Sequence, residues 1–403
     1  MQVTMTPGRA VGTVTAPPSK SMAHRLLICA GMSQGQSVIR GISQSEDILA
    51  TLDCLQALGV RYQREGDTVT VEGIDMRYAN PGLPLYCRES GSTLRFFLPL
   101  ALLSGNNVML RGSETLLKRP MGVFEDICRQ RGLVYLQDGQ SIVVQGPLRA
   151  GEFSVVGNIS SQFISGLLFV LPLLEEDSTI RITPPVESRS YINLTVEALR
   201  EFGVEILWQD EHTLFIRGRQ AYQPRSITVE GDYSNAAFLD ALALFGGDVK
   251  VEGLRPDSIQ GDRVYRRYFE MLSKGTPTIY IGDCPDLGPI LFSVAAAKNG
   301  GIFNGTGRLR LKESDRAAVM AEELKKFGAA VTVYEDTVVV YPVSFHAPEC
   351  PLEGHNDHRI VMSLSVLLTL TGGTLQGAEA ARKSFPDFFA YLRKLGISVT
   401  EAL

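Results

Sequence analysis

Glu89-Ser90-Gly91-Ser92-Thr93-Leu94-Arg95-Phe96-Phe97-Leu98-Pro99-Leu100-Ala101-Leu102-Leu103 is two kinds of sequence joined end to end. Its first part carries an acid, hydroxyls, a glycine and an arginine; its second part is apolar in every direction around a helix. A helix that is apolar all round lies inside a protein. Its first turn still presents free backbone N–H groups and the positive end of the helix dipole, which favour anions. The stretch therefore reads as a buried helix with a polar mouth.

The same junction occurs five more times. The other openings are Ser19-Lys20-Ser21-Met22-Ala23-His24-Arg25, Asn158-Ile159-Ser160-Ser161-Gln162 and Asp232-Tyr233-Ser234-Asn235, then Pro285-Asp286-Leu287-Gly288 and His355-Asn356-Asp357-His358-Arg359. A second marker recurs between them: a one-sided helix, then an apolar residue, Gly and a strand. It appears at Leu58-Gly59, Phe202-Gly203, Phe327-Gly328 and Leu395-Gly396, and as Arg131-Gly132, where the glycine supplies a left-handed cap. Alternating runs such as Ala330–Tyr334 and Thr337–Tyr341 follow as hairpins. The fourth unit is shorter near Gly275, where Thr276–Ile281 reads as one strand in place of a hairpin.

Each unit thus reads as strand, apolar helix, strand, amphipathic helix, strand, strand, an α/β pattern repeated six times. The apolar helices are central and enclosed by sheets. The second helices lie outside, with Glu322, Glu323, Lys325 and Lys326 on a polar face of one of them. A chain of 403 residues is long for one core, so two domains of three units each are expected. If the six mouths converge, they form a pocket for phosphates and carboxylates.

A net charge of -5 argues against a nucleic-acid binder with a broad basic surface. Apolar stretches such as Phe163–Leu174 are too short to span a membrane, and Met1–Val14 lacks the features of a signal peptide. The six cysteines form no CxxC pair and no metal spacing, so a reducing cytoplasm is expected. Cys29, Cys54 and Cys128 fall at apolar helix phases, as small hydrophobes. No P-loop, Rossmann fingerprint or metal cluster is present, and no cofactor or metal is expected.

Eight motifs in order carry a family resemblance. They are Pro18-Ser19-Lys20-Ser21 with Arg25, Gly91-Ser92 with Arg95, Lys118-Arg119-Pro120, and Ser160-Ser161-Gln162. Then come Gln260-Gly261-Asp262, Lys312-Glu313-Ser314-Asp315-Arg316, Asn356-Asp357-His358-Arg359 and Lys383-Ser384-Phe385-Pro386-Asp387. Over nearly its whole length the chain resembles the 5-enolpyruvylshikimate-3-phosphate synthases, the 3-phosphoshikimate 1-carboxyvinyltransferases of aromatic amino acid biosynthesis. The resemblance implies two similar domains of three βαβαββ units, here 18–229 and 1–17 with 230–403, and an active site in the interdomain cleft that closes on its ligands. It also implies transfer of the enolpyruvyl group of phosphoenolpyruvate to the 5-hydroxyl of shikimate 3-phosphate.

By the same resemblance, shikimate 3-phosphate is held by Lys20, Ser21, Arg25, Ser160, Ser161, Gln162, Ser188, Asp286 and Lys312. Phosphoenolpyruvate is held by Lys20, Gly91, Arg119, Gln162, Arg316, Arg359 and Lys383. Asp286 becomes the base for the 5-hydroxyl; Glu313 is the candidate for the methylene proton, with Lys20 and Lys383 as competing donors. The residues alone leave other readings. Lys20 stands where the dipole disfavours a cation, a hint of function. Asp286 alone reads as an N-cap, Arg316 as a partner of Glu313 and Ser188 as a surface cap. His358 reads as an orienting or capping group, and Lys118 and Arg95 as structural charges.

Two departures stand out: Glu89-Ser90-Gly91-Ser92 replaces a common Asn-Ala-Gly-Thr, and Arg308 stands where the family often has Asn. The rival UDP-N-acetylglucosamine enolpyruvyl transferases carry Lys-Asn in the first motif and a loop cysteine, against Lys20-Ser21 and a Cys-free Gly112–Lys118 here. A non-enzymatic anion-binding relative is a further alternative, disfavoured because Asp286 and Glu313 are both present. The expected partners are small-molecule substrates alone, with no nucleic acid and no membrane, and the expected state is a cytoplasmic monomer.

Overall fold

All six polar openings start helices in the computed structural model, which describes residues 1–402. The buried helices are Lys20–Met32, Gly91–Ala101, Ser161–Val170, Tyr233–Leu244, Gly288–Ala297 and His358–Thr371. Four mouths are closed by a side chain that takes a first-turn N–H: Ser90 from Thr93, Ser160 from Gln162, Asp232 from Asn235 and Asp357 from Arg359. A capping acceptor of this kind is worth about 1 kcal/mol. The Gly288–Ala297 mouth differs. A 3₁₀ turn, Pro285–Leu287, precedes it and no side chain caps it. The capping role open to Asp286 is therefore not used.

The chain forms two compact units, Lys20–Val229 and Met1–Ser19 with Glu230–Leu403. Each has its own apolar core. Among the described residues, five of the six sheets have four strands in one shared order. In one, Glu152–Val156 runs parallel to Ser178–Thr183, which pairs antiparallel with Thr213–Ile216, itself antiparallel to Ile206–Trp208. A parallel pair needs a crossover, and the buried helix supplies it.

Three strands lie far from their partners in sequence. Gln2–Met5 fills the gap between Gly373–Gln376 and Val399–Ala402. Ser226–Thr228 completes the sheet of Gly35–Arg40, pairing Ile227 with Ile39. Val11–Thr15 precedes the Lys20–Met32 helix but pairs with Asp248–Glu252 in a two-stranded sheet. Within Met1–Ser19 and Glu230–Leu403 the connecting segments are bridged, Ser19 N donating to Glu230 O and Asp232 N to Pro17 O, both at 2.8 Å.

The fourth unit departs from the expectation drawn at Gly275. Thr278–Tyr280 is the first strand of the next sheet, parallel to Gly301–Asn304, and does not replace a hairpin. The one-sided second helices are as read: Arg189–Glu201 buries Ile192, Leu194, Ala198 and Leu199. Glu323 is the exception, a carboxylate placed on the polar face by periodicity but 0% exposed. Cys29, Cys54 and Cys128 are buried free thiols. Among the described residues no helix is long and apolar enough to cross a membrane. The glycine after the Gly122–Arg131 helix shows the cap chemistry plainly: Gly132 has φ 66°, and nothing lies within 4 Å of where a Cβ would stand.

Candidate active site

In the Lys20–Val229 unit, Lys20 opens its helix against the dipole and is held by Asp47, Nζ to Oδ2 2.7 Å. Both side chains are about nine-tenths buried, at 12% and 11% exposed. Arg25 follows one turn on. Its Nε donates to Thr195 Oγ1 at 2.8 Å, Nη1 to Ser21 O at 2.6 Å and Nη2 to Tyr191 O at 3.0 Å. Burial lowers its pKa to about 10. Its guanidinium lies over the Phe96 ring, 5.2 Å from the centroid.

Beneath these groups runs a buried hydrogen-bonded chain. His24 Nδ1 meets Thr51 Oγ1 at 2.7 Å, Thr51 meets Thr93 at 3.0 Å, and Thr93 donates to Ser90 at 2.8 Å. Burial, then the charges of Lys20 and Arg25, hold the His24 pKa well below its usual value. The ring is neutral at pH 7, and the chain ties three helices together.

Gly91 is needed for room. A Cβ there would stand 2.8 Å from Arg119 Nη1 and 3.4 Å from Arg95 Nη1. Arg95 donates to Gln162 Oε1 at 2.8 Å and to Pro120 O at 3.1 Å, over the Phe163 ring. Gln162 Nε2 in turn donates to Ser92 Oγ at 2.9 Å. Both ends of the Gln162 amide are thus engaged, and its helix carries Ser160 as cap and Ser161 as first, buried residue. Lys118 pairs with Glu114 on the surface. Ser188 is not a surface cap: it is 1% exposed, left-handed at φ 56°, and its side chain caps nothing.

In the other unit, six charged groups meet. Asp286 Oδ1 accepts from Arg316 Nη1 at 2.8 Å and Lys312 Nζ at 3.2 Å, and Oδ2 from Arg359 Nη2 at 3.4 Å. Arg316 also donates to Glu313 at 2.8 Å and to both Asp357 oxygens at 2.8 and 3.3 Å. Three cations and three carboxylates cancel. Four of the five Arg316 N–H groups are committed, and the residue is 1% exposed. Its pairing with Glu313 is real but is one of three.

Burial would raise the Asp286 pKa, but Lys312, Arg359 and Arg316 hold it well below the usual carboxylate range. The same carboxylates hold the Arg316 pKa up against burial. Burial lowers Lys312, opposed by Asp286 and aided by Arg316 and Arg308. Arg359 reaches Asn235 Oδ1 at 3.4 Å, with Phe238 beneath it. Lys383 Nζ donates to Asn356 O at 2.6 Å. His358 does not cap its helix; Asp357 does.

His355 and Asn356 have φ of 49° and 52°, left-handed conformations that cost non-glycine residues about 1–3 kcal/mol each. The turn leads straight into Asp357 and Arg359. Sequence reasoning named no role for Asp47, Asp357, Asn235 or Thr195. Asp357 had a signal, an acid just before an apolar helix. Asp47 had none that pointed to Lys20, since acids are ordinary in a first helical turn.

The sequence matches the family described as EPSP synthase (3-phosphoshikimate 1-carboxyvinyltransferase) over residues 5–392. The chain belongs to the EPSP synthase family. A relative from Clostridium perfringens named 3-phosphoshikimate 1-carboxyvinyltransferase is 38% identical over 419 residues, covering 98% of each chain. One of the same name from Clostridioides difficile is 36% identical, covering 98% of this chain and 97% of its own. In fold, the chain resembles the EPSP synthase of Acinetobacter baumannii, with a TM-score of 0.81 over all of both chains at 22% identity. It also resembles the enolpyruvyl transferase NikO of Streptomyces tendae, with a TM-score of 0.76 at 15% identity, covering 99% and 98%. Membership of the EPSP synthase family makes the chain a transferase of aromatic amino acid biosynthesis.

Proposed function

We propose that the chain transfers the enolpyruvyl group of phosphoenolpyruvate to the 5-hydroxyl of shikimate 3-phosphate and releases phosphate. Beyond family membership, the observation that supports it is Asp286: a carboxylate held by Lys312, Arg316 and Arg359, with Glu313 on the same guanidinium. That gives two carboxylates for proton transfer and cations for the donor's charges.

Asp286 takes the 5-hydroxyl proton as the oxygen bonds to C2 of phosphoenolpyruvate, and the methylene carbon gains a proton. The resulting tetrahedral adduct loses phosphate, and the methyl group returns its proton to leave the enol ether. A carboxylate ringed by three cations is a weak base. Entry of the donor's phosphate and carboxylate draws on the same cations, which raises Asp286 towards a useful pKa. Arg359, with long contacts of 3.4 Å, changes partner at least cost. Arg316 has one N–H left, so it acts chiefly by holding Asp286 and Glu313. Glu313 is assigned the methylene proton, with Lys20 and Lys383 as the other candidates.

Lys20, Ser21, Arg25, Ser160, Ser161, Gln162, Ser188 and Lys312 are assigned to shikimate 3-phosphate. Lys20, Gly91, Arg119, Gln162, Arg316, Arg359 and Lys383 are assigned to phosphoenolpyruvate. Arg25 contributes as a fixed buried charge, because three protein acceptors already hold its fork. A cytoplasmic monomer is part of the same proposal, tested by light scattering and cell fractionation.

The deciding experiment is phosphate release from phosphoenolpyruvate. Release with shikimate 3-phosphate and none with UDP-N-acetylglucosamine is the expected result. Release with the UDP-sugar alone would overturn it, and no release with either would favour a non-catalytic anion binder.

A further inference from the structure

Glu323 is a fully buried carboxylate that the chemistry above does not use. Each of its oxygens accepts from Lys326 Nζ at 2.9 Å; one also takes Glu353 N at 3.0 Å and the other meets His355 Nε2 at 2.9 Å. Lys326 Nζ and Glu353 N can only donate, so Glu323 accepts from both while His355 Nε2 faces it. Glu323 stands seven residues beyond Arg316 on the Arg316–Lys325 helix, two turns along one face. Arg316 holds Asp357 and Glu323 holds Glu353 and His355, so one helix face grips the chain on both sides of the left-handed pair His355 and Asn356. Asn356 in turn gives its carbonyl to Lys383. Non-glycine residues keep such a backbone only where their surroundings impose it.

We infer that Glu323 and His355 are positioning residues: their contact sets the turn that aims Arg359 and anchors Lys383. The inference rests on the reading that Arg359 and Lys383 bind phosphoenolpyruvate. A latch of this kind acts on that substrate and leaves shikimate 3-phosphate binding alone.

Two substitutions at His355 separate contact from backbone. His355→Asn suits the left-handed backbone but is too short to reach Glu323 as the ring does. His355→Gln suits the backbone less but keeps an N–H donor near Nε2. Expected is a rise of about tenfold in KM for phosphoenolpyruvate in the Asn variant, with KM for shikimate 3-phosphate and Tm unmoved, and recovery in the Gln variant. Wild-type KM in both variants overturns the latch, as does an equal rise for both substrates in step with a falling Tm. If the wild type itself releases no phosphate, the functional reading fails first. Amide exchange over 353–359 then decides the latch: faster in Asn than in Gln supports it, equal rates overturn it.

Discussion

Arg316 Nη1 lies 2.8 Å from Asp286 Oδ1, and the same guanidinium holds Glu313 and Asp357. One buried cation therefore fixes both carboxylates proposed for proton transfer and the cap of the helix that carries Arg359. Planar, five-donor arginine makes four hydrogen bonds to three carboxylates here, one more than the three donors of a lysine allow. The charged groups of the cluster hold one another in place, as electrostatic preorganisation requires.

Asp286→Ala removes the proposed base. Turnover is expected to fall about 10²–10⁴-fold, while calorimetric binding of shikimate 3-phosphate is largely kept. Unchanged phosphate release would remove the assignment.

Gly91→Ala places a methyl 2.8 Å from Arg119 Nη1, at the far end of a flexible side chain. The arginine moves and the helix does not. The expected result is a loss of about 10- to 100-fold in kcat/KM for phosphoenolpyruvate, with Tm nearly unchanged.

Stability should fall in two separate acid windows. His24 has its pKa depressed by burial and by Lys20 and Arg25, so the unfolded chain takes up its proton first. That contribution is intact above about pH 6.5 and is lost as pH drops below it. Asp286 is also depressed, by Lys312, Arg359 and Arg316 against burial. Its contribution is intact above about pH 4 and is lost below. Urea midpoints from pH 3 to 8 should lose the upper slope in His24→Gln and the lower slope in Asp286→Asn. A His24→Gln profile that superimposes on wild type between pH 4 and 6.5 counts against the neutral-histidine reading.

Gly132→Ala tests backbone strain without a clash, since φ is 66° and no atom lies within 4 Å. A cost of about 1 kcal/mol is expected in urea unfolding, and Gly132→Asn should cost less, because asparagine tolerates the left-handed region.

The helix mouths were legible because both of their signals are local. An all-round apolar run such as Phe96–Leu103 and the polar cluster before it can be read without knowing any partner. Strand exchange was not legible in that way. The pairing of Val11–Thr15 with Asp248–Glu252 is set by tertiary packing. The same limit hid Asp47 from Lys20 and Asp357 from Arg316, pairs 27 and 41 residues apart. Glu323 was misread because helical phase reports which face a residue takes, and here that face is covered by the Glu353–His355 segment. Asp286 kept both readings open until the 3₁₀ turn at Pro285–Leu287 withheld it from the helix end.

The far-flung strands also set a timetable for biosynthesis. Once Ser226–Thr228 has emerged from the ribosome, every strand and helix of Lys20–Val229 is available, and domains generally fold as units during synthesis. Gln2–Met5 is translated long before Gly373–Gln376 and Val399–Ala402, and waits for both before it has neighbours on either edge. A segment made early is thus among the last to find its place.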